Sequence, residues 1–113
     1  MLKKKVYTKY ENKKVNLLDT TISIKYIDAD SNDDGRWIFG HTHFTGPVCE
    51  IFISIKDEQG NRLPEKTVNC TLRHELYHAI FGLLYFNNER DNETLVEWLA
   101  QATNTLNEQG INI

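Results

Sequence analysis

The chain has 113 residues, 40% of them hydrophobic, with a formal net charge of −3. A chain this long buries roughly two-thirds of its unfolded surface, enough for one modest core, so a single domain over residues 1–113 is expected. No stretch of about 18 apolar residues occurs, which excludes a membrane-spanning helix, and the two cysteines, Cys49 and Cys70, lack any metal-type spacing.

The opening MLKKKVYTKYENKK resembles the charged start of a signal peptide, but no apolar segment follows it. The expectation is a cytoplasmic chain without a cleavable signal. Its cysteines are then free thiols, and the N-x-[ST] matches at Asn69 and Asn92 carry no glycosylation meaning. Charge is uneven: residues 1–27 carry seven lysines against Glu11 and Asp19, a balance of +5 that leaves −8 for the rest. Lys3, Lys4, Lys5 and Lys9, interleaved with Tyr7 and Tyr10, invite a nucleic-acid reading. Such a footprint usually brings a high pI and clustered arginine. Here the pI is about 5.8 and the first arginine is Arg36. These lysines are read instead as decorating an exposed strand, where they discourage edge pairing. Neither nucleic acid nor membrane is an expected partner.

Residues 22–28, ISIKYID, set Ile22, Ile24 and Tyr26 against Ser23 and Lys25, the alternation of a half-buried strand. The next segment, DADSNDDG, places Asp30, Asn32, Asp34 and Gly35 as in the first half of an EF-hand calcium loop. The twelfth position, which needs a bidentate Glu, is His41, and helical flanks are missing. The segment is read as a hairpin loop, since Asp, Asn and Gly also make turns. RWIFGHTHF then alternates Trp37, Phe39, His41 and His43 on one face, and Thr45-Gly46-Pro47 turns the chain into VCEIFISIK. There Cys49, Ile51, Ile53 and Ile55 form a period-two face. KDEQGNRLP is a polar loop, after which a helix begins at Pro64-Glu65 or nearer Thr67.

In this helix, expected over residues 66–86, Val68, Leu72, Leu76, Ile80 and Leu83 or Leu84 recur at steps of three and four. It carries HELYH, His74 to His78, an H-E-x-x-H pattern. Four residues of helix advance about 400° and about 6 Å. His74 and His78 therefore share a face one turn apart and can converge on one Zn²⁺ with Zn–N bonds of about 2.0–2.1 Å. Glu75, about 100° round from His74, is placed to act as a base rather than a ligand. The histidines share their face with Phe81 and Tyr85, while Ala79 and Gly82 allow another element close to the helix.

A catalytic zinc takes three protein ligands and keeps one position open. No histidine follows His78, so the third ligand is a downstream carboxylate or an upstream histidine. NNERDNETLVEWLAQATNTL reads as a second helix, about 92–108, with Asp91 or Asn92 as N-cap and Leu95, Val96, Leu99, Ala102 and Leu106 as its buried stripe. Glu93 and Glu97 lie one turn apart on another face. Glu93 is assigned as third ligand and Glu97 as acceptor for a ligating imidazole N–H; the reverse remains open. His41 and His43, an H-x-H pair on a strand, stand second as ligands, or line the cleft and hydrogen-bond a bound carbonyl, or are simply surface or core side chains, as most strand histidines are.

HELYHAI followed some fifteen residues later by ETLVEWLA resembles the gluzincin metallopeptidases, above all the small phage- and mobile-element-associated minigluzincin and ImmA/IrrE-like group. The resemblance covers residues 66–108 well and 21–55 loosely, and the third histidine of metzincin and SprT-like proteins is missing. It implies that His74, His78 and Glu93 bind zinc, that Glu75 is the general base, and that the target is a regulatory protein such as a phage repressor.

The expected fold is α+β, zincin-like. A small, mainly antiparallel sheet from residues 3–55 packs on the motif helix, and the second helix crosses behind the metal. The expected function is zinc-dependent hydrolysis of a peptide or protein substrate lying extended along an edge strand, with residues 48–55 as the candidate edge. Two rivals keep the zinc without turnover. One is a site closed by an inhibitory segment or by a fourth protein ligand, His41 or His43; the other is a partner- or nucleic-acid-binding module with structural zinc.

Overall fold

In the computed structural model, residues 10–17, 20–28, 30–31, 37–45, 48–84 and 86–111 are described. The two alternating apolar segments become neighbouring strands, β2 (Thr20–Ile27) and β6 (Val48–Ser54). They pair in parallel, Ile22 opposite Cys49, Ile24 opposite Ile51 and Tyr26 opposite Ile53. Period-two patterning thus puts six apolar side chains on one face. Helix α1 (Glu65–Leu83) lies on that face and adds Val68, Leu72 and Ala79 to the core.

β1 (Lys14–Leu17) pairs antiparallel with β2, and β5 (Gly40–Thr45) antiparallel with β6, giving the order β1-β2-β6-β5. Two of the three pairings are antiparallel, and the fold is α+β as expected. The short β3 (Asp30–Ser31) and β4 (Trp37–Ile38) pair antiparallel, as the two arms of a hairpin would; residues 32–36, which hold most of the EF-hand-like segment, lie outside the described residues. So do Lys3, Lys4, Lys5, Tyr7, Lys9 and the Gly46-Pro47 turn. Of the lysine-rich start, Lys13 and Lys14 are described, both exposed, Lys14 on the edge strand β1.

One expectation is corrected here. Residues 48–55 are not an edge: β6 has a strand on each side, and Cys49, Ile51 and Ile53 are fully buried. The edge on this side of the sheet is β5. The expected run over 36–44 is also interrupted at Phe39, whose carbonyl accepts from Ser54 N–H at 2.7 Å.

The motif helix forms as expected, but its buried stripe is rotated. Val68, Thr71, Leu72, Glu75 and Ala79 are buried, whereas Leu76 and Ile80 are only partly so. The helix touches two layers, the sheet on one side and a second helix on the other, so the most buried line falls between the two contacts and not along the most apolar row. Gly82 admits the close neighbour its size suggested: a Cβ there would stand 2.6 Å from Cζ of Phe44 on β5.

A short helix, α2 (Asn87–Arg90), was not foreseen; α3 (Glu93–Glu108) was. The side chain of Asn92 caps α3, accepting from Leu95 N–H at 3.0 Å, and satisfies one of the orphan donors of the first turn. α3 runs antiparallel to α1, with Glu97 beside His74 and Glu108 near Lys66. Its buried line is Val96, Ala100, Thr103 and Asn104; Ala102, expected inside, is exposed. The small side chain of Ala100, fully buried, allows the two helices to approach. Among the described residues no helix is long and apolar enough to cross a membrane.

Both cysteines are free thiols. Burial, with Glu50 and Glu75 adding to it, pushes Cys49 up to about 11, and burial also raises Cys70. The thiolate is the reactive form. In native protein at neutral pH, Cys70 is expected to react slowly with a thiol reagent and Cys49 only on unfolding. Time-resolved alkylation read by mass spectrometry checks this order, and fast native labelling of Cys49 would contradict the packing.

Candidate metal centre

α1 directs its two histidines away from the sheet and towards α3. Their ring centroids are 4.8 Å apart and the planes cross at 64°. The two Nε2 atoms meet one oxygen: Glu93 Oε1 lies 2.9 Å from Nε2 of His74 and 3.1 Å from Nε2 of His78. His74, His78 and Glu93 are the group of potential ligands found among the described residues, their atoms all within 4.8 Å of one another.

The other ring nitrogens are both engaged. Nδ1 of His78 is 2.7 Å from the carbonyl oxygen of Arg90, which can only accept, so Nδ1 carries the proton and donates. Nδ1 of His74 is 2.7 Å from Glu97 Oε1, where an N–H likewise donates to a carboxylate. With Nδ1–H engaged in both rings, each Nε2 is the atom left facing Glu93 Oε1, where it can hold a proton or bind a metal ion. A tetrahedral zinc with bonds of about 2.0–2.1 Å holds its ligand atoms about 3.3 Å apart; the observed 2.9 and 3.1 Å need only a small expansion. The residues fit a metal ion.

Glu93 thus faces both Nε2 atoms, and Glu97 faces Nδ1 of His74. Glu97 is itself held, Nε2 of Gln101 donating to its Oε2 at 2.6 Å. The support of His78 comes from a backbone carbonyl on α2, which sequence reasoning missed. A four-residue helix has too little periodicity to be seen, and a carbonyl acceptor leaves no trace in side-chain identity.

Glu75 points the other way round α1, towards the sheet, and is 95% buried. Oγ1 of Thr42 on β5 donates to its Oε1 at 2.7 Å. Burial pushes the Glu75 carboxyl above its ordinary range, against the hydrogen bond from Thr42 and the nearby imidazoles of His78 and His74. Nothing in the sequence marks Thr42, because alternation alone does not say which face of β5 meets the helix. The histidines either side of it alternate with Thr42 along β5: His41 stacks on Phe52 with ring centroids 4.6 Å apart while also bordering the cleft, and His43 pairs with Glu50 in the β5–β6 register. Neither joins the ligand group, so the fourth-ligand arrangement is not built.

Gly40 lets β5 lie this close to α1. A Cβ there would meet the Phe52 carbonyl oxygen at 2.6 Å, Thr71 Cγ2 at 3.1 Å and Glu75 Cγ at 3.4 Å. Gly40→Ala is expected to destabilise the fold by about 1–3 kcal/mol through overpacking, readable as a lower urea midpoint at unchanged slope. A neutral or stabilising result would show that β5 sits further from the helix.

The site opens into a cleft of ≈ 790 Å³ bounded by β5, α1 and α3, with Phe39, Gly40 and His41 on one wall and Glu93, Glu97 and Gln101 on the other. No family model, curated protein or solved structure matches the chain. The chemistry therefore rests on the residues. They provide two imidazoles and a carboxylate arranged for a metal ion, with a buried second carboxylate at the floor of the same cleft.

Proposed function

We propose that the chain is a zinc-dependent metallopeptidase of gluzincin type, resembling the minigluzincin and ImmA/IrrE-like group, with residues 1–113 forming one zincin-like domain. The observation that carries this reading is the convergence of His74 Nε2, His78 Nε2 and Glu93 Oε1 on one point, with Glu75 lining the same cleft. Bound zinc would lower the pKa of its water to about 7 and polarise a peptide carbonyl.

The protein's residues supply the rest. His74 and His78 are fixed in orientation by Glu97 and the Arg90 carbonyl, so their lone pairs are pre-aimed. Thr42 occupies one oxygen of Glu75. The other accepts no hydrogen bond among the described residues, and is the atom to take the water's proton and pass it to the leaving amine. Substrate lies extended along β5, using the backbone groups that strand leaves unpaired at the sheet edge. A regulatory protein in the cytoplasm, cleaved in an extended segment, is the proposed target.

Metal analysis of the purified chain tests the reading. About one Zn²⁺ per chain is expected. Glu93→Ala should weaken binding far more than His41→Ala or His43→Ala, with Glu97→Ala between them at about 10–100-fold. Metal-free protein that takes up no zinc, or a strand histidine as the stronger determinant, would overturn it.

A further inference from the structure

On α3, two neighbouring polar residues are buried, and they are treated differently. Thr103 returns its hydroxyl to its own helix, donating to Leu99 O at 2.8 Å. Asn104, 95% buried, has no hydrogen-bond partner for its side-chain amide among the described residues. Asparagine is a poor helix former, and its amide here is not sealed from solvent: among the described residues the sealed side-chain polar atom without a partner is Tyr26 Oη. An apolar side chain would serve better between two helices. The amide instead lines the cleft, with Thr67 and Cys70 of α1 and Thr105 of α3. Donor and acceptor are both free to meet whatever enters.

We infer that Asn104 is the specificity-determining residue of a subsite that takes a carboxamide side chain, glutamine or asparagine, of the substrate. The identification as substrate, rather than as another ligand, rests on the metallopeptidase reading. A primary amide satisfies both halves of another amide at once through two parallel hydrogen bonds, donating to its oxygen and accepting from its nitrogen, which a trans peptide group cannot do. A carboxylate would leave the Asn104 oxygen unpaired, an ammonium its N–H. Position along the cleft follows from the helices. Asn104 lies seven residues beyond Glu97, and Thr67 seven before His74. At 1.5 Å per residue that is about 10 Å, or about three residues of an extended chain at 3.3 Å each. The carboxamide therefore belongs about three positions from the bond that is cut. Few residues are named by this subsite, which is what a protease directed at one regulatory sequence requires.

Blocked octapeptides identical except for Gln or Leu three positions from the central bond, on either side, provide the test. They are titrated into the ¹⁵N-labelled full chain. One Gln peptide is expected to bind about tenfold or more tighter than its Leu counterpart, because the mismatched complex leaves the buried amide unpaired. Its binding should shift the Asn104 side-chain NH₂ signals. Asn104→Leu should erase the preference. Asn104→Asp, nearly the same shape and safe where leucine disturbs folding, should erase it too. Equal affinities, absence of binding, or a preference that survives both substitutions would each overturn the inference. The readout separates the two ideas: Glu75-dependent cleavage without carboxamide preference sinks the subsite alone, and carboxamide binding without cleavage sinks the hydrolase alone.

Discussion

Glu75→Gln is expected to reduce peptide hydrolysis by about 10²–10⁴-fold, the range that general-base catalysis contributes, while zinc content stays unchanged. The argument is one of faces. Glu75 is on the sheet side of α1, held by Thr42, whereas the ligand atoms of His74 and His78 lie on the α3 side. Glutamine keeps the shape and can still accept the Thr42 hydrogen bond through its carbonyl oxygen, so fold and metal site survive. It loses the basic oxygen. Varied protein substrates and self-cleavage should be assayed side by side with wild type. Equal hydrolysis by the two proteins would assign the activity to a contaminant or another site. Zinc binding by both with cleavage by neither would make the chain a silent zinc-binding protein.

The part of this site that was legible in the sequence is the part written in helical periodicity. H-E-x-x-H fixes two imidazoles one turn apart whatever surrounds the helix, and Glu93–Glu97 repeats that spacing on α3. Both survive folding because they are local. What was misread depends on contacts between distant segments. β6 directly precedes the motif helix in the chain, which made it the natural candidate edge. Its place is set by pairing with β2 more than twenty residues earlier, and that long-range parallel pairing puts it inside the sheet. His41 and His43 show the same limit: alternation says that they share a face but not which one, and Thr42 between them is the residue that reaches the site. The rotated stripes of α1 and α3 arise because each helix is buried by more than one neighbour. Glu75 and Asn104 become buried, cleft-lining positions despite their polarity, and Leu76 is only partly buried despite its apolarity.

Removing the metal is expected to destabilise the protein, and this separates a built site from an accidental cluster. Both Nε2 atoms and Glu93 Oε1 already stand near ligand spacing, so a metal ion binds the native fold with little rearrangement and has no such site in the unfolded chain. A ligand that binds only the native state at 100 times its Kd stabilises by about 2.7 kcal/mol. For a domain near 100 residues each kcal/mol moves Tm by roughly 4–8 °C. Chelation of wild type should therefore lower Tm by roughly 10–20 °C. The His74→Ala/His78→Ala double variant also loses packing, since both rings are mostly enclosed, and its Tm alone is ambiguous. Its response to chelator is not: with two of three donors gone, chelation should shift it by almost nothing. Glu93→Gln, which keeps the shape but weakens the third donor, should fall between. A wild-type Tm indifferent to both chelator and added zinc would mean that the three side chains meet without holding a metal.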